Sequence, residues 1–333
     1  MPSTPTEAQT RALELLRSAQ RFVLSGHMRP DGDCIGAQAA LQRGLESLGK
    51  DVWIVNPDPP EPQFDYLTRE CTYRTYQGGD LPAHDVFVLI DASELSRCGA
   101  LGEKAAEAGS KKLVVDHHIH VGEEWWNEAF VDVTASASGL LVYRILMALG
   151  VELDRTMALG VFTSMVTDTG WFKYSNTDAE TLAVASALLE AGVDPSLVYR
   201  DIYQRESSKL PRGIARVLDT LEYHCDNRLA VVQVLPPKEG EEPLADSDLV
   251  LDILRSVAAV EVVLLLRRTD ATHCKLSARS KGDYDVNRLA RQFGGGGHRK
   301  ASGATIEGSL SEATRKVVEA AVAGFEDQSG AVA

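Results

Sequence analysis

The chain has 333 residues, 44% of them hydrophobic and 25% charged, with a formal net charge of −14. That length admits two domains with cores of their own, and the acidity excludes a protein that coats long nucleic acid, which needs a wide basic surface. The five cysteines (Cys34, Cys71, Cys98, Cys225, Cys274) are scattered without a CxxC pair, and Arg11, Glu14 and Arg17 interrupt residues 1–20, so the expectation is a cytoplasmic protein without a secretory signal or a membrane contact.

In chain order, Ala8, Ala12, Leu15, Leu16 and Ala19 recur at helical spacing, and Phe22–Ser25 then reads as a short buried strand. Ala37, Ala40, Leu41, Leu45 and Leu48 mark a second helix, closed by Gly49. Val52–Val55, Val86–Ile90 and Leu113–Val115 are further strands. Continuous apolar strands alternating with helices predict a doubly wound parallel α/β sheet covered on both faces. From Ser138 the pattern turns helical, over Leu140–Leu149 and Met157–Val166. Thr177 with Glu180 reads as a capping box for a helix to Gly192; Pro195 and Pro211 open two more. Leu229–Leu235, Val262–Leu266 and Cys274–Arg279 read as strands of a smaller α/β domain, with helices over Ser247–Ala258 and Val286–Phe293 between them. A run of four glycines, another strand and a helix capped by Ser309 with Glu312 follow, and the tail after Asp327 is expected to fray. The division expected is a first domain over 1–190, a linker over 191–212 and a second domain over 213–333.

The chemistry-bearing residues cluster by position. His27, Asp31 and Asp33 follow the first strand, Asp91 follows Ile90, Asp116-His117-His118 follow Val115, and Asp168 closes the helical segment 157–167. Alone, Asp31-Gly32-Asp33 reads as a turn, a single Asp after a strand as a helix cap, and a His-His pair as a surface feature. Structure alone gives no reason to place all of them at the carboxyl edge of one parallel sheet, which is where such sheets bind ligands. Carboxylates gathered there would repel, and a cation is the simplest remedy. Oxygen-rich ligation with some imidazole and no thiolate suits Mn²⁺ or Mg²⁺. The ligand count suits two ions about 3.5–4 Å apart, bridged by one carboxylate, a pair that activates water and clamps a phosphoryl group for in-line displacement. Cys34 reads as a packed thiol.

Between Leu264 and Ala304 nine Lys or Arg face three acids, a local charge of +6. Gly294–Gly297 lies in this segment, just before His298-Arg299-Lys300. Glycine runs commonly serve as flexible loops; in a basic segment, backbone N–H groups free of side chains suit an anion. Arg279 is the candidate for a forked contact to a phosphate or base. Arg97, six residues past Asp91, is a further candidate for the crevice.

His27-x-x-x-Asp31-Gly32-Asp33, Asp91 after a strand, Asp116-His117-His118 and Thr167-Asp168-Thr169-Gly170 resemble the four signature motifs of the DHH phosphoesterase superfamily. Ser277-x-Arg279-Ser280 with Gly294–Gly297, His298 and Ala301-Ser302-Gly303 resembles its DHHA1 substrate-binding domain. Together these motifs span nearly the whole chain, and the arrangement is most similar to the nanoRNase / pAp phosphatase branch. The resemblance implies a Mn²⁺-dependent hydrolase with its active site in the cleft between the domains. Its substrates would be very short RNA oligonucleotides and 3′-phosphoadenosine 5′-phosphate (pAp), with no stable complex with long nucleic acid and a possible homodimer. It implies that His27, Asp31 and Asp91 hold one Mn²⁺ (Mg²⁺ being possible), and that Asp33, Asp91, His117 and Asp168 hold the other. Asp116 would orient the histidines and His118 would face the scissile phosphate. Arg279, Gly295, Gly296, Gly297, His298 and Arg97 would bind substrate. The competing readings are a single-strand DNA exonuclease, a phosphodiesterase of linear dinucleotides derived from cyclic nucleotides, a family II pyrophosphatase, and a silent nucleotide-binding regulator. The complete ligand set speaks against the last.

Overall fold

Alternation of apolar strands with helices builds an open parallel sheet. In the computed structural model, which describes residues 5–120, 122–237 and 248–330, the chain divides into two units, Met1–Arg205 and Glu206–Ala333. The boundary lies inside segment 191–212, and residues 191–205 go with the first unit.

The first unit runs α1 (Glu7–Ser18), β1 (Arg21–Ser25), α2 (Gly32–Ser47), β2 (Asp51–Asn56), α3 (Asp65–Thr68), β3 (Tyr73–Thr75), β4 (Val86–Ile90), α4 (Ala100–Glu107), β5 (Lys111–Asp116), β6 (Glu128–Val131), α5 (Ser138–Leu149), α6 (Arg155–Asp168), α7 (Ala179–Glu190) and α8 (Pro195–Tyr203). Its six strands are all parallel, in the order β3-β2-β1-β4-β5-β6. Successive side chains of β4 enter opposite layers. Val86, Val88 and Ile90 join the core under α1, α2, α5 and α6, while Phe87 and Leu89 pack with Leu101 and Ala105 of α4. Both faces are therefore covered, as the continuous apolar runs predict. The winding reverses between β1 and β4, and at such a switch point the carboxyl ends of neighbouring strands open a crevice.

Three local expectations change. The second helix starts at Gly32, not at Ala37, because Asp31 caps it by accepting from the N–H groups of Asp33 and Cys34; what reads as a turn is a helix entry. The cap of α7 is Asp178, which accepts from Thr181 N, and the helix stops at Glu190. Thr177 makes no capping bond; its hydroxyl is buried without a hydrogen-bond partner. The edge strands β3 and β6 are missing from the sequence reading because three or four residues such as Tyr-Arg-Thr carry too little apolar signal.

The second unit runs α9 (Leu210–Leu218), β7 (Glu222–His224), β8 (Leu229–Val234), α10 (Asp248–Arg255), β9 (Val262–Arg268), β10 (His273–Ser280), α11 (Val286–Arg291), β11 (Gly296–His298), β12 (Ala301–Glu307) and α12 (Leu310–Gly330). Its sheet, β11-β12-β10-β9-β8-β7, is mixed: β8 and β9 are parallel and the other neighbours antiparallel. Helices α11 and α12 cover one face, α9 and α10 the other. The Ser309–Glu312 capping box is formed, and α12 stays helical through Gly330, so the fraying expected after Asp327 does not begin there; residues 331–333 lie outside the described residues. Among the described residues no single helix is long and apolar enough to cross a membrane.

Candidate metal centre

The carboxyl edge of the first sheet collects the acids and imidazoles. His27 leaves β1; its Nδ1 lies 2.9 Å from the Met28 carbonyl, so Nδ1–H donates there and Nε2 is directed inward. Nε2 is 3.4 Å from Asp91 Oδ2 and 3.9 Å from Asp31 Oδ1. His117, at the end of β5, repeats the device. Its Nδ1 faces the Ala135 carbonyl at 3.1 Å, and its Nε2 lies 3.2 Å from Asp33, 3.6 Å from Asp91 and 3.8 Å from Asp168. None of these is aligned as a hydrogen bond, and His117 Nε2 is buried without a partner. A buried nitrogen aimed among three carboxylates, its other nitrogen tied to a carbonyl, is the arrangement of a ligating imidazole.

Asp91 is the centre of the cluster. It is buried, and its φ of +63° is a left-handed conformation rarely adopted by residues other than glycine. One oxygen faces His27; the other faces His117 and His118 and accepts from the Ser138 hydroxyl at 2.9 Å. Asp33 is held by Ser138 N, Gly139 N and the Ser164 hydroxyl. Asp168 accepts from Asn176 at 3.2 Å. Asp116, fully buried, accepts from the Ser93 hydroxyl at 2.6 Å on one oxygen and from His118 Nδ1 at 2.8 Å on the other. Asp31 stands at the rim, 63% exposed, with Oδ1 engaged in capping α2.

The helices reach this edge through close contacts. A Cβ on Gly36 would overlap the Gly160 carbonyl, one on Gly32 would overlap Thr167, and one on Gly139 would overlap Ser164. Bare backbone at these crossings lets α2, α5 and α6 approach until Asp33 and Asp168 share one imidazole.

The electrostatics of the cluster favour positive charge at its centre. Burial pushes the Asp33 carboxyl up to about 8, reinforced by Asp91, and burial pushes Asp168 up to about 6. Burial also disfavours charge on Asp91, but His117 and His27 outweigh it and hold it below the carboxylate range. Burial works against the charged rings of His27 and His117, yet the facing carboxylates raise them to about 10 and 11. The cluster draws in positive charge, and divalent cations meet that demand with the donors present.

The donor groups able to hold an ion are Asp91 with His117 and His118, Asp33 with His117 and Asp168, and His27 with Asp91 and Cys34. Cys34 is a packed thiol, as its place in the sequence predicts: it is fully buried beside Gly26, and burial pushes its pKa well above the usual thiol value. Arg97 is exposed, and its carbonyl accepts from Met28 N at 2.7 Å, tying the Asp91 loop to the His27 loop. Sequence reasoning missed Ser93, Ser138, Ser164 and Asn176. Only Ser138 leaves a trace, in the small-residue run Ser136–Gly139; the other three lie outside it, and none carries a charge to flag it.

In the second unit, Arg279 sits on β10, 3.3 Å from Asp248. Gly296, Gly297 and His298 form the exposed edge strand β11, not a free loop. Two of the glycines have structural reasons of their own: a Cβ on Gly295 would overlap the Gly303 carbonyl, and Gly297, at φ +140°, lies against Ala301 and Ser302.

Comparison with known proteins agrees with this geometry. Residues 21–165 match the DHH family N-terminal domain and residues 226–324 the DHHA1 domain. The bifunctional oligoribonuclease and PAP phosphatase NrnA of Thermus thermophilus is 33% identical over 311 residues, 92% of this chain and 91% of that protein. An exopolyphosphatase-related protein of Bacteroides fragilis superposes with a TM-score of 0.84 at 25% identity, covering 98% of both chains. RecJ of Thermus thermophilus in complex with Mn²⁺ shares the fold at a TM-score of 0.54 and 17% identity, over 96% of this chain and 55% of that one. With its motifs on one sheet edge and both domains matched, this chain belongs to the DHH/DHHA1 phosphoesterases, as a hydrolase of the NrnA oligoribonuclease and PAP phosphatase type.

Proposed function

We propose that the chain hydrolyses very short RNA oligonucleotides to nucleoside monophosphates and removes the 3′-phosphate of pAp, with Mn²⁺ as its cofactor. The observation that carries this reading is Asp91, a buried carboxylate whose two oxygens face different imidazoles, His27 on one side and His117 with His118 on the other. His27, Asp31 and Asp91 would hold one ion, and Asp33, Asp91, His117 and Asp168 the other. Mg²⁺ could occupy the same oxygen-rich set. When bound, the ions supply Lewis acidity at the phosphoryl oxygens and lower the pKa of water.

The chain's own residues do the rest. Asp116 fixes the His118 ring through Nδ1, and Ser93 holds the opposite Asp116 oxygen. The His118 side chain is 53% exposed, so its Nε2 can present a proton to the phosphate as charge develops there. Water adds to phosphorus, the bond to the ribose 3′-oxygen breaks, and that oxygen leaves as a hydroxyl. Arg279, Gly295, Gly296, Gly297 and His298 would bind the nucleotide end, and Arg97 is proposed as a further substrate-binding residue. The net charge of −14 favours substrates with few phosphates over long strands.

The test is hydrolysis by the full chain in Mn²⁺ of RNA two to five nucleotides long, with pAp, pyrophosphate, a linear dinucleotide and long single-stranded DNA in parallel. Release of mononucleotide from short RNA and of phosphate from pAp is expected. Preference for the long strand or for pyrophosphate overturns the reading.

A further inference from the structure

Beneath the metal centre lies a buried polar contact that the reaction does not use. Asn56 ends β2 and is 1% exposed; Gln38, on α2, is 0% exposed. Their amides pair reciprocally, Gln38 Nε2 donating to Asn56 Oδ1 and Asn56 Nδ2 to Gln38 Oε1, both at 2.8 Å. Asn56 Oδ1 also accepts from the backbone N–H of Gly26 at 3.1 Å. Burying two amides is unfavourable unless every polar atom is satisfied, and apolar side chains would fill the space at no such cost. The pair therefore needs a reason beyond packing.

The sheet register supplies it. β1 and β2 pair Phe22 with Val52 and Leu24 with Ile54, so Gly26 stands level with Asn56, two residues beyond the last pair. There the ladder has stopped. Asn56 turns its own carbonyl the other way, accepting from Tyr76 N at 2.8 Å, and its side chain takes the place of the missing strand partner for Gly26. On the far side of the same residue the Cys98 thiol donates to the Gly26 carbonyl at 3.2 Å. The next residue is His27. A Cβ on Gly26 would overlap the Cys34 thiol and approach Gln38 Nε2 to 2.9 Å, so the glycine is required where the amides close on the chain.

We infer that Asn56 and Gln38 form a buried amide clasp that positions His27, setting the backbone from which its imidazole reaches Asp91. They are positioning residues, and this inference rests on the proposed role of His27 as a ligand. The clasp would act on one ion only, because the hydrogen bonds that hold Asp33, His117 and Asp168 come from Ser138, Gly139, Ser164, Ala135 and Asn176 and include neither Asn56 nor Gln38.

The test is a Mn²⁺ titration of the metal-stripped full chain, by calorimetry and by the spin-resonance signal of free Mn²⁺, with unfolding midpoints measured alongside. Asn56→Leu is expected to weaken one of the two binding steps about ten- to a hundredfold, the range for losing a residue that orients a ligand, and to leave the other unchanged. Gln38→Met, a milder change that leaves Gly26 held, is expected to weaken the same step less; it carries the test if Asn56→Leu does not fold. Gln42→Leu is the control. Gln42, one turn along α2, is a buried amide that donates to the Val52 carbonyl at 3.2 Å while its Oε1 has no hydrogen-bond partner, so its loss is expected to leave both steps unaltered whatever its effect on the unfolding midpoint. Wild-type Mn²⁺ binding in both clasp variants, with His27→Ala losing one step, overturns the clasp and spares the ligand role. Two intact steps in His27→Ala overturn the ligand role and the clasp with it.

Discussion

The acidic edge of the first unit and the glycine strand of the second are built on opposite plans. At the acidic edge Asp33, Asp91 and Asp116 are buried, and each is held by hydroxyl, backbone or imidazole donors from other elements. At the glycine strand Gly296, Gly297 and His298 are exposed at the margin of a sheet, paired on one side only. A cation is bound tightly where its ligands are already oriented. A substrate that must arrive and leave is better served by open backbone and a few cations. On the proposed assignments, the two regions need different amounts of preorganisation, much to hold ions and little to capture substrate.

Substitutions on each side test that contrast. The largest effect is expected from Asp91→Asn, which keeps a residue tolerant of positive φ but removes the carboxylate. Mn²⁺-dependent hydrolysis should fall by well over the roughly 100-fold that losing a supporting residue costs, while circular dichroism shows the fold retained. Near-full activity would end the central role of Asp91. Next, Ser164→Ala removes the hydroxyl that donates to Asp33 and accepts from Gly139 N. Mn²⁺ affinity should drop about 10- to 100-fold by calorimetry; unchanged affinity would mean the preorganisation described above is not needed.

On the open side, Arg279→Ala should raise KM for short RNA about tenfold, the loss of one charge-assisted hydrogen bond, with kcat little changed. A fall in kcat at constant KM would move Arg279 from capture to chemistry. The smallest effect is expected at Gly296, which has open space around it, its nearest neighbour being Asn287 Oδ1 at 4.0 Å, and lacks the positive φ of Gly294 and Gly297. Gly296→Ala should leave stability within about 0.5 kcal/mol by thermal melt, yet raise KM severalfold. An unaltered KM would show that the run is there for β12 and not for a phosphate.

The parallel sheet could be read from the residues alone, because continuous apolar runs between helices have only that way to be buried. So could the acids and imidazoles that gather at its carboxyl edge, since His27, Asp91 and Asp116-His117-His118 fall directly after apolar strands, and strand ends can be read one at a time. How those residues are held comes from the folded chain. Ser138, Ser164 and Asn56 are ordinary polar residues in sequence, and they gain meaning from contacts between elements far apart in the chain: Asp33 with Ser164, Asp91 with Ser138, Gly26 with Asn56. The helix entry at Gly32 was hidden for a related reason. Asp-Gly-Asp has the local preferences of a turn; Asp31 makes it a helix entry by capping the Asp33 and Cys34 N–H groups, and bare Gly32 lets that first turn lie against Thr167 of α6, a contact that exists only once the chain has folded. Local pattern is set by neighbours in sequence, whereas orientation is set by neighbours in space.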